Sequence, residues 1–117
     1  MASPDTVREF ALALPGAEEA PSYGTPGFRV RGGRLFARML EDRDSVVVKI
    51  DFADRAALAA SDPDTFFWTP HYEKYPMLVV RLSRVGSEEL RELLVEAWRL
   101  SAPKRLVAAY DAADAER

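Results

Sequence analysis

The sequence predicts an α+β fold, a two-layer sandwich in which helices cover one face of an antiparallel sheet, in the order α-β-β-β-α-β-β-α. Three observations lead there. Two runs of alternating apolar and polar residues, 28–30 and 35–39, flank Gly32-Gly33, the signature of a two-residue hairpin turn. Leu90, Leu93, Leu94, Ala97 and Trp98 recur at i, i+3, i+4, i+7 and i+8, the apolar stripe of a helix laid on a core. A chain of 117 residues, 48% apolar and with two tryptophans, fits one domain over 1–117. A domain of that size buries roughly two-thirds of its unfolded surface.

Ser3-Pro4-Asp5 opens the first helix with a hydroxyl at the N-cap, a proline where its missing N–H costs nothing, and an acid favourable to the helix dipole. Val7, Phe10, Ala11 and Leu14 follow at helical spacing, and Pro15-Gly16 ends the helix. Residues 17–27 hold Pro21, Gly24 and Pro26 and read as a loop entering the hairpin. With Gly32-Gly33 as the turn, Arg31 lies opposite Arg34, Val30 opposite Leu35, Arg29 opposite Phe36 and Phe28 opposite Ala37. One face then carries Phe28, Val30, Leu35, Ala37 and Met39, and the other Arg29, Arg31, Arg34, Phe36 and Arg38. After the polar turn 41–44, Ser45–Asp51 is a third strand with Val46, Val48 and Ile50 inward and Val47, Lys49 and Asp51 outward. The three strands form an antiparallel meander.

Asp54 is the expected N-cap of a short alanine-rich helix through Ala60, anchored by Leu58 and stopped at Asp62-Pro63. Residues 66–69 form a fourth strand, 70–76 an aromatic loop, and 77–82 a fifth strand with Val79 and Arg81 turned away from Leu78, Val80 and Leu82. Ser87 caps the longest helix, whose solvent side pairs Glu88 with Arg91 and Glu96 with Arg99, each pair worth ~0.3 kcal/mol. Trp98 is its core anchor. Pro103 redirects the chain into a last helical turn or two over 104–111, and residues 112–117 fray.

With no cysteine, disulfides, thiolate metal sites and cysteine nucleophiles are excluded, and a cytoplasmic location is expected. Residues 1–16 have acids at Asp5 and Glu9 and no basic leader, so they do not read as a signal peptide. No apolar run approaches the ~20 residues of a membrane span, so no membrane partner is expected. His71 is the only histidine, and no serine sits in a nucleophile-elbow context. With Asp62, Asp64 and Glu73 offering only hard oxygens, it makes no transition-metal site. The glycines lack the spacing and the lysine of a phosphate loop. No enzymatic activity and no cofactor are expected.

Leu14-Pro15-Gly16 is followed by Tyr23-Gly24-Thr25-Pro26-Gly27-Phe28, which leads into the basic hairpin. Then come Thr69-Pro70-His71-Tyr72 through Tyr75-Pro76, and Ala97-Trp98-Arg99-Leu100 before Ala102-Pro103. In this order, over nearly the whole chain, these landmarks resemble the YjbR/MmcQ family of small bacterial proteins. The resemblance implies a secretion-chaperone-like α+β fold and a DNA-binding role. It brings no catalytic or binding residue with it.

The basic hairpin face is the candidate site. A net charge of −3 argues against strong nonspecific nucleic-acid binding by the chain as a whole, yet 29–49 carries six bases against three acids. Opposed Arg31 and Arg34 repel unless an anion lies between them. Guanidinium groups grip phosphate bidentately, and Phe36 between Arg29 and Arg38 is placed to stack on a base. A two-stranded ribbon of this kind fits a DNA major groove. The expectation is weak nucleic-acid binding by Arg29, Arg31, Arg34, Phe36 and Arg38, extended by Lys49 and Arg81 if their strands neighbour the hairpin. Ordinary solvation of a sheet face is the competing account, with Glu41, Asp42 and Asp44 diluting the field. Two further readings are a protein-interaction module, self-association included, through Phe36, Val47 and Val79, and a small-ligand pocket around Tyr23, Trp68, His71 and Tyr72.

Overall fold

Ser3 caps helix α1 (Pro4–Leu12) as the sequence predicts. Its hydroxyl accepts the Thr6 N–H at 3.3 Å while the Thr6 hydroxyl accepts the Ser3 N–H at 3.1 Å. The computed structural model describes residues 2–115. After α1 come β1 (Ala17–Ser22), β2 (Thr25–Val30), β3 (Leu35–Met39), β4 (Ser45–Lys49), α2 (Phe52–Ser61) and β5 (Phe66–Phe67). A 3-10 turn at Pro70–Tyr72 leads to β6 (Met77–Arg81), α3 (Ser87–Ser101) and α4 (Lys104–Ala115). The strands form one antiparallel sheet in the order β1-β2-β3-β4-β6-β5. The expected α+β sandwich forms, with the predicted meander extended by a strand before it and a full helix after α3.

The added strand is β1, where a loop was expected. It pairs with β2 from Ala17↔Val30 to Ser22↔Thr25. The tight two-residue turn is Tyr23-Gly24, with φ of 53° and 85°, the left-handed pair that a type I′ hairpin demands. Prolines masked the hairpin, but they occupy tolerated places. Pro21 sits on an edge strand, and Pro26 precedes the β2–β3 ladder, which begins at Gly27.

The β2–β3 register also departs from expectation. Gly33 N–H bonds the Val30 carbonyl at 2.8 Å and Val30 N–H bonds the Arg34 carbonyl at 3.2 Å, so 31–34 form a four-residue loop. Arg31 and Arg34 are therefore not a cross-strand pair. Phe28 faces Ala37 as expected, but Arg29 faces Leu35, and a β-bulge leaves Phe36 unpaired. That extra residue inverts the alternation beyond it. Phe36 turns into the core and is fully buried, while Leu35 moves to the outer face beside Arg29 and is half-buried. Gly33 is required by space: a Cβ there would meet the Ser101 carbonyl oxygen at 2.6 Å. Gly33→Ala is expected to cost about 1–3 kcal/mol, seen as a lower urea midpoint with an unchanged m-value.

All four helices pack into one core on the same side of the sheet. α1 contributes Val7 and Ala11, α2 Leu58, α3 Leu90, Leu94, Ala97 and Trp98, and α4 Leu106, Val107 and Tyr110. Trp98 is fully buried, donates its indole N–H to the Pro15 carbonyl at 2.9 Å, and meets the Tyr110 ring at 5.2 Å. The two expected i, i+3 pairs on α3 form at 3.5 Å. Three local expectations are corrected. Asp51 rather than Asp54 caps α2, accepting the Asp54 N–H at 2.8 Å, so β4 stops short of it. Gly86 rather than Ser87 is the N-cap of α3. Strand β5 ends at Phe67, not at residue 69. Helix α4 continues to residue 115 where fraying was expected, tied to α3 by Arg99, which donates to Asp111 at 2.9 Å; residues 116 and 117 lie outside the described residues.

Candidate nucleic-acid interface

The sheet face opposite the helices carries the predicted basic residues, and strand register sorts them into rows. One row crosses the whole sheet: Ala20, Gly27, Arg38, Val47, Val79 and Phe67 are successive cross-strand partners. Two residues away along the strands, about 6.7 Å, Glu18 faces Arg29 and Arg29 faces Leu35, with Lys49 opposite Met77 further on. Val47 and Val79, expected as exposed docking residues, are buried, held in the first row between Arg38 and Phe67. With Phe36 in the core, the apolar docking surface expected from these three residues does not exist.

Most of the expected contact residues are already engaged. Arg38 is only 12% exposed. It donates to the Ser22 carbonyl at 3.1 Å, the Tyr72 hydroxyl at 3.4 Å and the Glu41 carboxylate at 3.1 Å, and it lies 5.2 Å from the centre of the Tyr23 ring. Arg31 pairs with Glu18 at 3.1 Å. Arg81 donates to the Asp64 carbonyl at 3.1 Å and sits 5.0 Å from the centre of the Phe67 ring. Phe36 is out of reach. What remains is a smaller cluster. Arg29 and Arg34 are exposed and form no ion pair among the described residues. Burial first, and repulsion from Arg34 second, hold the Lys49 ammonium below the usual lysine range. Lys49 and Arg34 are thus close enough to feel each other.

The proposed pocket residues do not enclose a pocket together. Tyr23 and Tyr72 meet through Arg38, and His71 stands exposed with its ring edge-on to Tyr72 at 4.7 Å. Trp68 belongs to a different assembly, bonded through its indole N–H to Glu73 and lying 4.0 Å from the Arg55 guanidinium. Two marked clefts of about 370 Å³ each border the β1–β2 turn instead, and Tyr23, Trp68, His71 and Tyr72 line neither. One has a floor of Phe28 and Met39 and a rim that includes Asp5, Arg8 and Arg43.

The sequence reading missed Arg55. It is 5% exposed, and its guanidinium donates to the carbonyls of Tyr72 at 2.9 Å, Glu73 at 3.0 Å, Tyr75 at 2.9 Å and Met77 at 3.3 Å, between the Phe52 and Trp68 rings. One available signal is that Arg55 is the lone cation of α2, three residues after an aromatic. No helix among the described residues is long and apolar enough to cross a membrane.

Residues 12–100 match the family model described as YjbR. A stretch of 68 residues, 57% of this chain, is 43% identical to proteins of Mycobacterium bovis and Mycobacterium tuberculosis, each described as an uncharacterised protein. That match covers 53% of each relative, so the chain spans about half the length of the curated relatives it matches. The crystal structure of a Deinococcus radiodurans protein, with a domain designated DUF419, has a similar fold. The TM-score is 0.75 at 25% identity, over 86% of this chain and 78% of that one.

Proposed function

Since this chain belongs to the YjbR family, we propose that it is a non-enzymatic domain that binds nucleic acid weakly, through phosphate contacts made by Arg29, Arg34 and Lys49. One observation supports this above the others. Arg29 and Lys49 on the outer sheet and Arg34 in the adjoining loop lie together without a paired carboxylate, since Glu18, the register neighbour of Arg29, is taken by Arg31. Arg34 disfavours the charge on Lys49, and an anion between them turns that repulsion into attraction. Guanidinium and ammonium groups are the side chains that hold phosphate oxygens.

The number of free cations sets the expected salt dependence. Three phosphate contacts give a slope of about −2.7 in log affinity against log salt on duplex DNA, or about a forty-fold loss between 50 and 200 mM. Six contacts, as read from the sequence, would give about twice that slope. Fluorescence anisotropy of a labelled oligonucleotide across a salt series measures it. Arg29→Ala with Arg34→Ala is expected to flatten the slope by about 2, whereas Arg31→Ala leaves it nearly unchanged. Affinity indifferent to salt, or to the Arg29 and Arg34 pair, counts against the proposal.

A further inference from the structure

Resting on the reading above, we infer that the ligand is single-stranded nucleic acid, with phosphates on the Arg29, Arg34 and Lys49 cluster and a base stacked on Tyr23. The first reason is width. The β2–β3 hairpin is flanked by β1 and β4, so it is no free ribbon. Six strands at about 4.8 Å spacing make a sheet about 24 Å across, twice the ~12 Å width of a major groove. The helices cannot enter the groove in its place on this face, because all four pack into the core on the opposite side. The centre of this face is covered, with Val47 and Val79 buried and Arg38 12% exposed. The exposed groups are Tyr23 at one end of β2 and the cation cluster at the other, about 20 Å apart along the strand, a span that a flexible single strand crosses.

The second reason is the distribution of charge. On this face, the cations with no hydrogen-bond or ion-pair partner among the described residues are Arg29, Arg34 and Lys49, which lie at the end of β2 away from Tyr23, enough for one backbone and not for two rails. The third reason is Tyr23. It is 88% exposed at the tip of the type I′ turn, and its φ of 53° belongs to a position that favours glycine or asparagine over an aromatic. Its ring rests against Arg38, which Ser22, Tyr72 and Glu41 hold in turn. The ring is therefore supported on one side and open on the other, as a stacking platform must be. Base–aromatic stacking tolerates any sequence, and a site of this kind spans about four nucleotides or more.

The experiment uses anisotropy at 50 mM salt with labelled twelve-residue oligothymidine, oligouridine and a twelve-base-pair DNA duplex, each against the native chain, Tyr23→Ala, Tyr23→Trp and the Arg29→Ala/Arg34→Ala variant. Single strand, DNA or RNA, is expected to bind at least ten-fold tighter than duplex. Tyr23→Ala is expected to weaken single-strand binding about five-fold to a hundred-fold while leaving the duplex unchanged, and Tyr23→Trp to retain it. Because Tyr23 is exposed, its variants are expected to melt with the native chain, which circular dichroism checks. Duplex binding as tight as single-strand binding, or single-strand affinity untouched by Tyr23→Ala, overturns the inference. In that case the phosphate-contact reading still stands if the arginine variant weakens binding. Failure of every oligonucleotide to bind overturns both.

Discussion

Trp98→Ala is expected to remove about 3–5 kcal/mol of stability, the largest single loss available in this core. The indole is fully buried on α3 and is the largest side chain in that condition. It does two jobs at once. It fills the space between α3, α4 and the sheet, against Tyr110, and its N–H satisfies the Pro15 carbonyl in the turn between α1 and β1. Alanine leaves a cavity and an orphan carbonyl together. A domain this size has roughly 5–15 kcal/mol in total, so the variant is expected to melt about 10–20 °C lower by circular dichroism. Trp98→Phe separates the two effects, because it keeps most of the volume and loses only the hydrogen bond, about 1–3 kcal/mol. Equal melting temperatures for the two variants would contradict this division.

Arg55→Met is expected to cost about 3–5 kcal/mol, comparable to breaking a buried ion pair, because it removes a buried charge from among polar partners that include the Glu73 carboxylate at 3.8 Å. Four backbone carbonyls between residues 72 and 77 converge on the guanidinium, and methionine offers them no donor. The connection from β5 to β6 is therefore held by one side chain from α2. Arg55→Lys is expected to recover only part of the loss, because an ammonium cannot spread over four acceptors and two ring faces as a planar guanidinium does. Urea unfolding measures the stability, and chymotrypsin gives a local readout: faster cleavage at Tyr72 and Tyr75 in Arg55→Met than in Trp98→Phe. Protease resistance equal to the native chain would overturn this role for Arg55.

These two residues illustrate what can be read from a one-dimensional pattern. Trp98 was evident because it ends a stripe whose period is set by the helix itself, and the Ser3 cap because its chemistry lies within three residues. Arg55 was not, because its four acceptors are backbone atoms 17 to 22 residues away, and backbone carbonyls leave no mark in a sequence. The same holds for Arg38, whose acceptor at Ser22 lies 16 residues earlier. The basic face was misjudged for a different reason. Alternation assigns faces only while no residue is inserted, and the bulge at Phe36 adds one. A single unpaired residue turned the expected stacking aromatic into core, and a more exposed ring, Tyr23, sits in a turn hidden among prolines.

The prolines that hid β1 also protect it. Every open sheet has two edges, and an unprotected edge is a template on which a second molecule adds a strand and aggregation begins. Here the β1 edge lacks a donor at Pro21 and carries Glu18 and Glu19, the latter gripped by Arg8 through two contacts of 2.7 and 3.1 Å. The opposite edge, β5, is two residues long. Neither border offers a run of free backbone groups long enough to continue the sheet into a neighbour. This leaves an acidic domain whose sheet ends at its own two borders instead of continuing into a second molecule.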